Sequence, residues 1–136
     1  MSKKTTLLSL CLTALAVALM SALPASARPA SARATIVNVT AGKPTEFAFT
    51  LSTKSVKHGA VTFKVKDGGA LPHTFKVCSS SKGGTASSCA GKDTGSITPG
   101  STKTLTVTFA TAGSYEYLCT VPGHAAAGMK GLIKVS

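Results

Sequence analysis

A chain of 136 residues with a formal charge of +11 and 43% hydrophobic content is long enough for one domain with its own core. Fifteen Lys and Arg against four Asp and Glu favour acidic or anionic partners and fast electrostatic steering toward them. Nucleic acid is excluded from those partners. The lysines are scattered over strands and turns, no recognition motif is present, and only 5% of residues are aromatic and able to stack on bases.

The chain opens on an export pattern. Lys3 and Lys4 form a positive start, residues 7–20 are almost wholly apolar, and Ala25-Ser26-Ala27 is a small-residue cleavage site. The apolar run is short for a membrane span. Residues 1–27 therefore read as a cleaved secretory signal peptide, and the product as periplasmic or secreted, with no membrane insertion of the mature chain. Cys11 lies within the apolar run after Leu10 and leaves with it. Residues 28–33 read as a flexible mature N-terminus and residues 34–136 as a single domain.

Strand patterns follow in order. Residues 35–40 are β-branched and short. Residues 45–51 alternate, which points Phe47, Phe49 and Leu51 inward. Residues 52–58 form a polar connection containing His58, whose Lys-rich setting gives it a surface role. Residues 61–66 alternate most clearly, Val61, Phe63 and Val65 inside and Lys or Thr outside. Asp67, Gly68 and Gly69 break the pattern, and Pro72 to Val77 begins another strand. Residues 79–97 are Ser/Gly/Lys/Thr-rich, too polar for a core, and read as a loop. After a turn at Thr98, Pro99 and Gly100, residues 104–109 alternate again. Tyr115, Tyr117 and Cys119 then share one face of the next strand, with the tyrosines as core and edge residues, and residues 132–135 form the last. No helical period follows the leader. Short alternating strands between Gly/Pro/Ser turns predict an all-β, antiparallel Greek-key β-sandwich of about 7–8 strands; the pattern alone does not separate it from another all-β fold such as a small barrel.

Four cysteines occur, and with Cys11 removed an odd three remain for an oxidising compartment. The economical pairing is Cys78 with Cys89, across the polar loop, leaving Cys119 as a free thiol. Spacing alone also permits either of the first two to pair with Cys119.

The C-terminal segment concentrates the chemistry. Cys119, His124 and Met129 stand at even spacing between two strand patterns, in a loop short enough to converge three side chains. One thiolate, one imidazole and one thioether favour copper, completed by a second imidazole. His73 is the natural candidate for it, since His58 is the only other histidine.

The segment from Gly113 through Tyr115, Tyr117, Cys119, Pro122, Gly123, His124 and Gly128 to Met129 is similar to the type 1 copper signature of the cupredoxins, the family of plastocyanin, azurin, plantacyanin and auracyanin. Upstream, residues 59–63 leading to Gly69, Leu71, Pro72 and His73 resemble that family's first-ligand strand. The resemblance covers most of the mature chain. It implies one copper ion cycling between Cu(I) and Cu(II), held by His73, Cys119 and His124, with Met129 as a long axial ligand. It implies an apolar patch around His124 for electron exchange, here built from Leu71, Pro72, Pro122, Ala125, Ala126 and Ala127. Thr74 and Gly123 are the candidates for hydrogen bonding around the thiolate. Two departures stand out: Thr74 replaces the Asn common after the first His, and Ala125 stands where plantacyanin-like members carry a disulfide Cys.

The resemblance further implies a soluble, monomeric one-electron carrier. Its partners would be acidic redox proteins such as a c-type cytochrome or a copper or haem oxidase or reductase. An extracytoplasmic copper carrier without a redox partner uses the same ligands, but Met129 is the only methionine outside the leader, whereas trafficking sites are usually Met-rich. An enzyme needs further His-bound metal, and one spare histidine is too few.

Overall fold

The alternation of small β-branched residues with Lys and Thr is resolved into strands in the computed structural model, which describes residues 34–81 and 89–136. The leader and residues 28–33 lie outside the described residues, as does part of the 79–97 segment. Nine strands are present: β1 (Thr35–Ala41), β2 (Phe49–Leu51), β3 (Ser55–Val56), β4 (Gly59–Asp67), β5 (Lys76–Cys78), β6 (Gly91–Asp93), β7 (Thr102–Phe109), β8 (Gly113–Leu118) and β9 (Lys130–Val135). They form a four-stranded sheet, order β2-β1-β4-β7, and a five-stranded sheet, order β3-β9-β8-β5-β6. The expected all-β sandwich is therefore present.

The sheets are mixed rather than purely antiparallel, and the described residues form nine strands where about seven or eight were expected. After β2 the chain crosses to the second sheet, contributes β3, and returns as β4. That crossover lays β4 parallel to β1, Val37 opposite Phe63 and Val39 opposite Val65, while β3 runs parallel to β9. Two strands eluded the sequence patterns because they are two or three residues long, too short to show a period: β3 lies in the polar connection and β6 in the polar loop.

The core is what the period-2 positions predict. Val37, Val39 and Ala41 of β1, Val61, Phe63 and Val65 of β4, and Leu105 and Phe109 of β7 meet Tyr115, Tyr117, Ile133 and Val135 of the other sheet. Phe75 joins them, its ring stacked on Tyr117 at 5.5 Å and edge-on to Phe49 at 5.2 Å. Two expectations fail. Ile97, assigned to a polar loop, is fully buried, because its backbone bonds in both directions to His73 and anchors the ligand segment. Phe47, assigned inward, is 40% exposed. Gly42 N–H donates to Ala48 O and Ala48 N–H to Thr45 O, closing residues 42–48 into a loop before β2 begins.

Candidate metal centre

Three loops at one end of the sandwich build the site. Residues 119–129 join β8 to β9, and the neck of that loop is closed by Cys119 N–H donating to Met129 O at 3.0 Å. Met129 N–H donates in turn to His124 O at 3.0 Å, and His124 N–H to Val121 O at 3.1 Å. Gly123 at φ +84° and Gly128 at φ +108° take left-handed turns that a side chain would strain. This hydrogen-bonded frame holds Cys119, His124 and Met129 in one closed loop, and all three are buried.

His73 arrives from the loop after β4. The reciprocal bridge to Ile97, N···O 3.0 and 2.7 Å, pins its backbone. One nitrogen each of His73 and His124 and the Cys119 sulfur all lie within 4.8 Å of one another. His73 Nδ1 and His124 Nδ1 are 3.2 Å apart, and Cys119 Sγ is 3.6 Å from His124 Nδ1. Burial, and next the neighbouring His73, hold His124 below its ordinary pKa, which favours the neutral imidazole that ligates metal.

The far side of His73 is held by a residue that no sequence pattern singled out. Glu46 Oε1 accepts from His73 Nε2 at 3.0 Å, and the same carboxylate accepts from Ala70 N–H and Leu71 N–H. Those two backbone donors, the Ala70 one first, hold the Glu46 carboxyl below its ordinary pKa. With Nε2 donating to Glu46, Nδ1 is the nitrogen His73 turns toward Cys119 and His124, an arrangement typical of carboxylate-supported metal histidines. There is no room for more: a Cβ on Gly69 would stand 2.5 Å from Glu46 Oε1 and 2.8 Å from His73 Nε2. The available sequence signal was scarcity, since Glu46 is one of only four acids.

The thiol has its own partners. Thr74 N–H points to Cys119 Sγ at 3.4 Å, with the Thr74 hydroxyl 3.6 Å from the same sulfur. Gly123 supplies the left-handed turn and a carbonyl that accepts from Ala127 N–H. Cys78 and Cys89 are joined, S–S 1.99 Å, and Cys119 is free and buried. His58 is exposed, away from this cluster.

Of the expected surface patch, Leu71 is 45% exposed, and Pro72, Pro122, Ala126 and Ala127 are exposed. Ala125 is not part of it. It is 3% exposed and packs inward with Leu118 and Cys78, because the hydrogen-bonded turns of residues 121–128 direct its methyl toward the disulfide. His124 is itself 92% buried, with the Phe47 ring edge-on at 5.0 Å.

A soft thiolate, two imidazoles and a buried thioether, dry and already converged, fit copper by donor chemistry, and His73, Cys119, His124 and Met129 form a type 1 copper arrangement. Fold and site together define a small blue-copper protein of cupredoxin type. Residues 36–136 match the family model of copper binding proteins, plastocyanin/azurin family, and the chain belongs to that family, whose members are generally electron carriers. Among solved structures the chain is similar to rusticyanin from Thiobacillus ferrooxidans, at 25% identity over 78% of this chain and 79% of that one, TM-score 0.59. It shares its fold with auracyanin A, a "blue" copper protein from Chloroflexus aurantiacus, at 22% identity over 75% and 98%, TM-score 0.58. Auracyanin from Roseiflexus castenholzii gives 24% identity over 75% and 96%, TM-score 0.57. Among curated protein sequences no match is found.

Proposed function

We propose that the protein is an exported, soluble one-electron carrier whose ligands are His73, Cys119, His124 and Met129. The observation that carries this reading is the convergence of two imidazole Nδ1 atoms and a free thiol in a buried pocket that the backbone has already shaped. Copper bound there supplies one-electron exchange between Cu(I) and Cu(II). The chain's contribution is rigidity: Glu46 and Ile97 hold His73, and the closed neck holds Cys119 against Met129, so little rearranges at each transfer. The leader pattern of residues 1–27 supports export to the periplasm or beyond.

Electrons would pass at the His124 edge, beneath Phe47. A small apolar centre with a basic surround suits brief docking to an acidic redox protein, because the pair must separate quickly.

The test is the visible and EPR spectrum of residues 28–136 loaded with Cu(II), beside Cys119→Ser and His73→Ala. An intense thiolate-to-copper band with narrow hyperfine splitting, lost in Cys119→Ser, is expected. A spectrum of ordinary tetragonal Cu(II), indifferent to Cys119→Ser, would remove the thiol from the site and the carrier role with it.

A further inference from the structure

We propose that Asp93, an exposed residue of β6, is a positioning residue that keeps the Thr74 hydroxyl proton off the Cys119 thiolate. Its effect on the centre rests on the copper reading above. The connection runs through two hydroxyls. Thr120 Oγ1 donates to Asp93 Oδ2 at 3.2 Å, while Asp93 Oδ1 accepts from Gly95 N–H at 2.6 Å. Thr120 Oγ1 is also 2.8 Å from Thr74 Oγ1, and Thr120 N–H donates to Thr74 Oγ1 at 2.6 Å.

A hydroxyl has one proton, and a carboxylate only accepts. The Thr120 proton is committed to Asp93, so Thr74 must be the donor in the 2.8 Å contact. The alternative, with Thr74 donating to sulfur at 3.6 Å, would press two lone-pair-bearing oxygens together at 2.8 Å with no proton between them. The Thr74 proton therefore points away from sulfur, and what this residue offers the thiolate is its N–H at 3.4 Å.

Hydrogen bonding around a ligating sulfur tunes the redox potential. Each donor withdraws density from the thiolate and weakens its support of the oxidised metal more than of the reduced one. By holding one donor away, Asp93 keeps the potential low. Its side chain reaches no ligand; it acts through Thr120 and Thr74.

Thr120→Val removes the acceptor for the Thr74 proton while preserving shape, and Thr120 is exposed. In the copper-loaded protein we expect the Thr74 proton to turn to sulfur. The thiolate-to-copper band should then shift to shorter wavelength, and the equilibrium constant for reduction against a fixed one-electron couple should rise about tenfold, equal to about 59 mV. Thr74→Val alone should change the potential little, and should abolish the response to Thr120→Val in the double variant. Asp93→Ala should act in the same direction as Thr120→Val, with a salt-sensitive part from the lost charge that survives Thr74→Val. Proton NMR of the metal-free protein gives a reading without copper or any variant: the Thr74 hydroxyl proton should show its contacts to Thr120, not to the Cys119 methylene. An unchanged potential in Thr120→Val with a lowered one in Thr74→Val would overturn the proposal, as would a Thr74 hydroxyl proton facing Cys119. A copper-loaded protein without the thiolate band would instead defeat the copper reading, while the metal-free spectrum would still decide where the proton lies.

Discussion

His73 depends on a residue 27 positions earlier in the chain. Glu46 meets its Nε2–H and two backbone N–H groups at once, so removing the carboxylate leaves three donors without their shared acceptor. Glu46→Ala is expected to weaken Cu(II) retention about ten- to a hundredfold, measured by competition with a chelator, with Glu46→Gln intermediate because its amide oxygen still accepts. The pH dependence has a definite sign. A carboxyl held below its ordinary value of 4.5 contributes in full above that value, and its contribution is lost as the pH falls through the depressed folded value. Copper release on acidification should therefore set in at higher pH in Glu46→Ala than in the natural protein. None of this was legible in the sequence, because a hydrogen bond between residues 46 and 73 leaves no mark on local periodicity.

At the scale of the element, β8 does more than alternation announced. Tyr115 and Tyr117 face the core as the pattern predicts, yet Glu116 and Leu118 on the opposite face are also buried. Leu118 packs with Cys78, Cys89 and Ala125, and Ser81 crosses at Gly113, accepting from Ser114 N–H. The disulfide, Ala125 and Ser81 thus lie where a half-exposed strand would have met water. Glu116 bears the cost: its Oε1 has no hydrogen-bond partner among the described residues, and burial raises its pKa, partly offset by Lys130. A raised carboxyl costs nothing below its ordinary value of 4.5. The cost grows as the pH climbs from there to the raised folded value, and persists above it. Glu116→Gln should stabilise the fold at pH 7, because the neutral amide removes the charge that burial disfavours. The gain should vanish near pH 4, read from urea midpoints at the two pH values. Equal gains at both would assign the effect to packing.

Across the whole molecule, charge is sorted by burial. Asp67 and Glu116 are buried and Glu46 is engaged by His73, which leaves Asp93 as the one exposed acid among the described residues. The described lysines other than Lys76 and Lys130 are exposed, so the surface is more uniformly basic than the composition suggests. Reversing Lys43 and Lys66 to Glu should slow electron transfer to an acidic partner about tenfold at low ionic strength. The difference should close as salt shortens the screening length toward about 3 Å at 1 M. Stopped-flow rates across a salt series check this; curves that stay parallel would exclude steering by those lysines.

The sequence by itself determined an all-β fold, most of its inward-facing positions and the chemistry of the metal loop. Period 2 assigns a side chain to a face without reference to any other strand, and Cys119, His124 and Met129 share one short loop whose chemistry is local. The tertiary structure decided what lies between distant segments. It set β1 parallel to β4, drew Ile97 out of a polar stretch into the core, and turned Phe47 from the core onto His124. It also brought Glu46 to His73 and Asp93 to Thr120. Each of these is a contact between segments far apart in the chain, formed only once the strands pair and the two sheets stack. No local pattern encodes such a contact, because the free energy that selects it comes from partners far away along the chain.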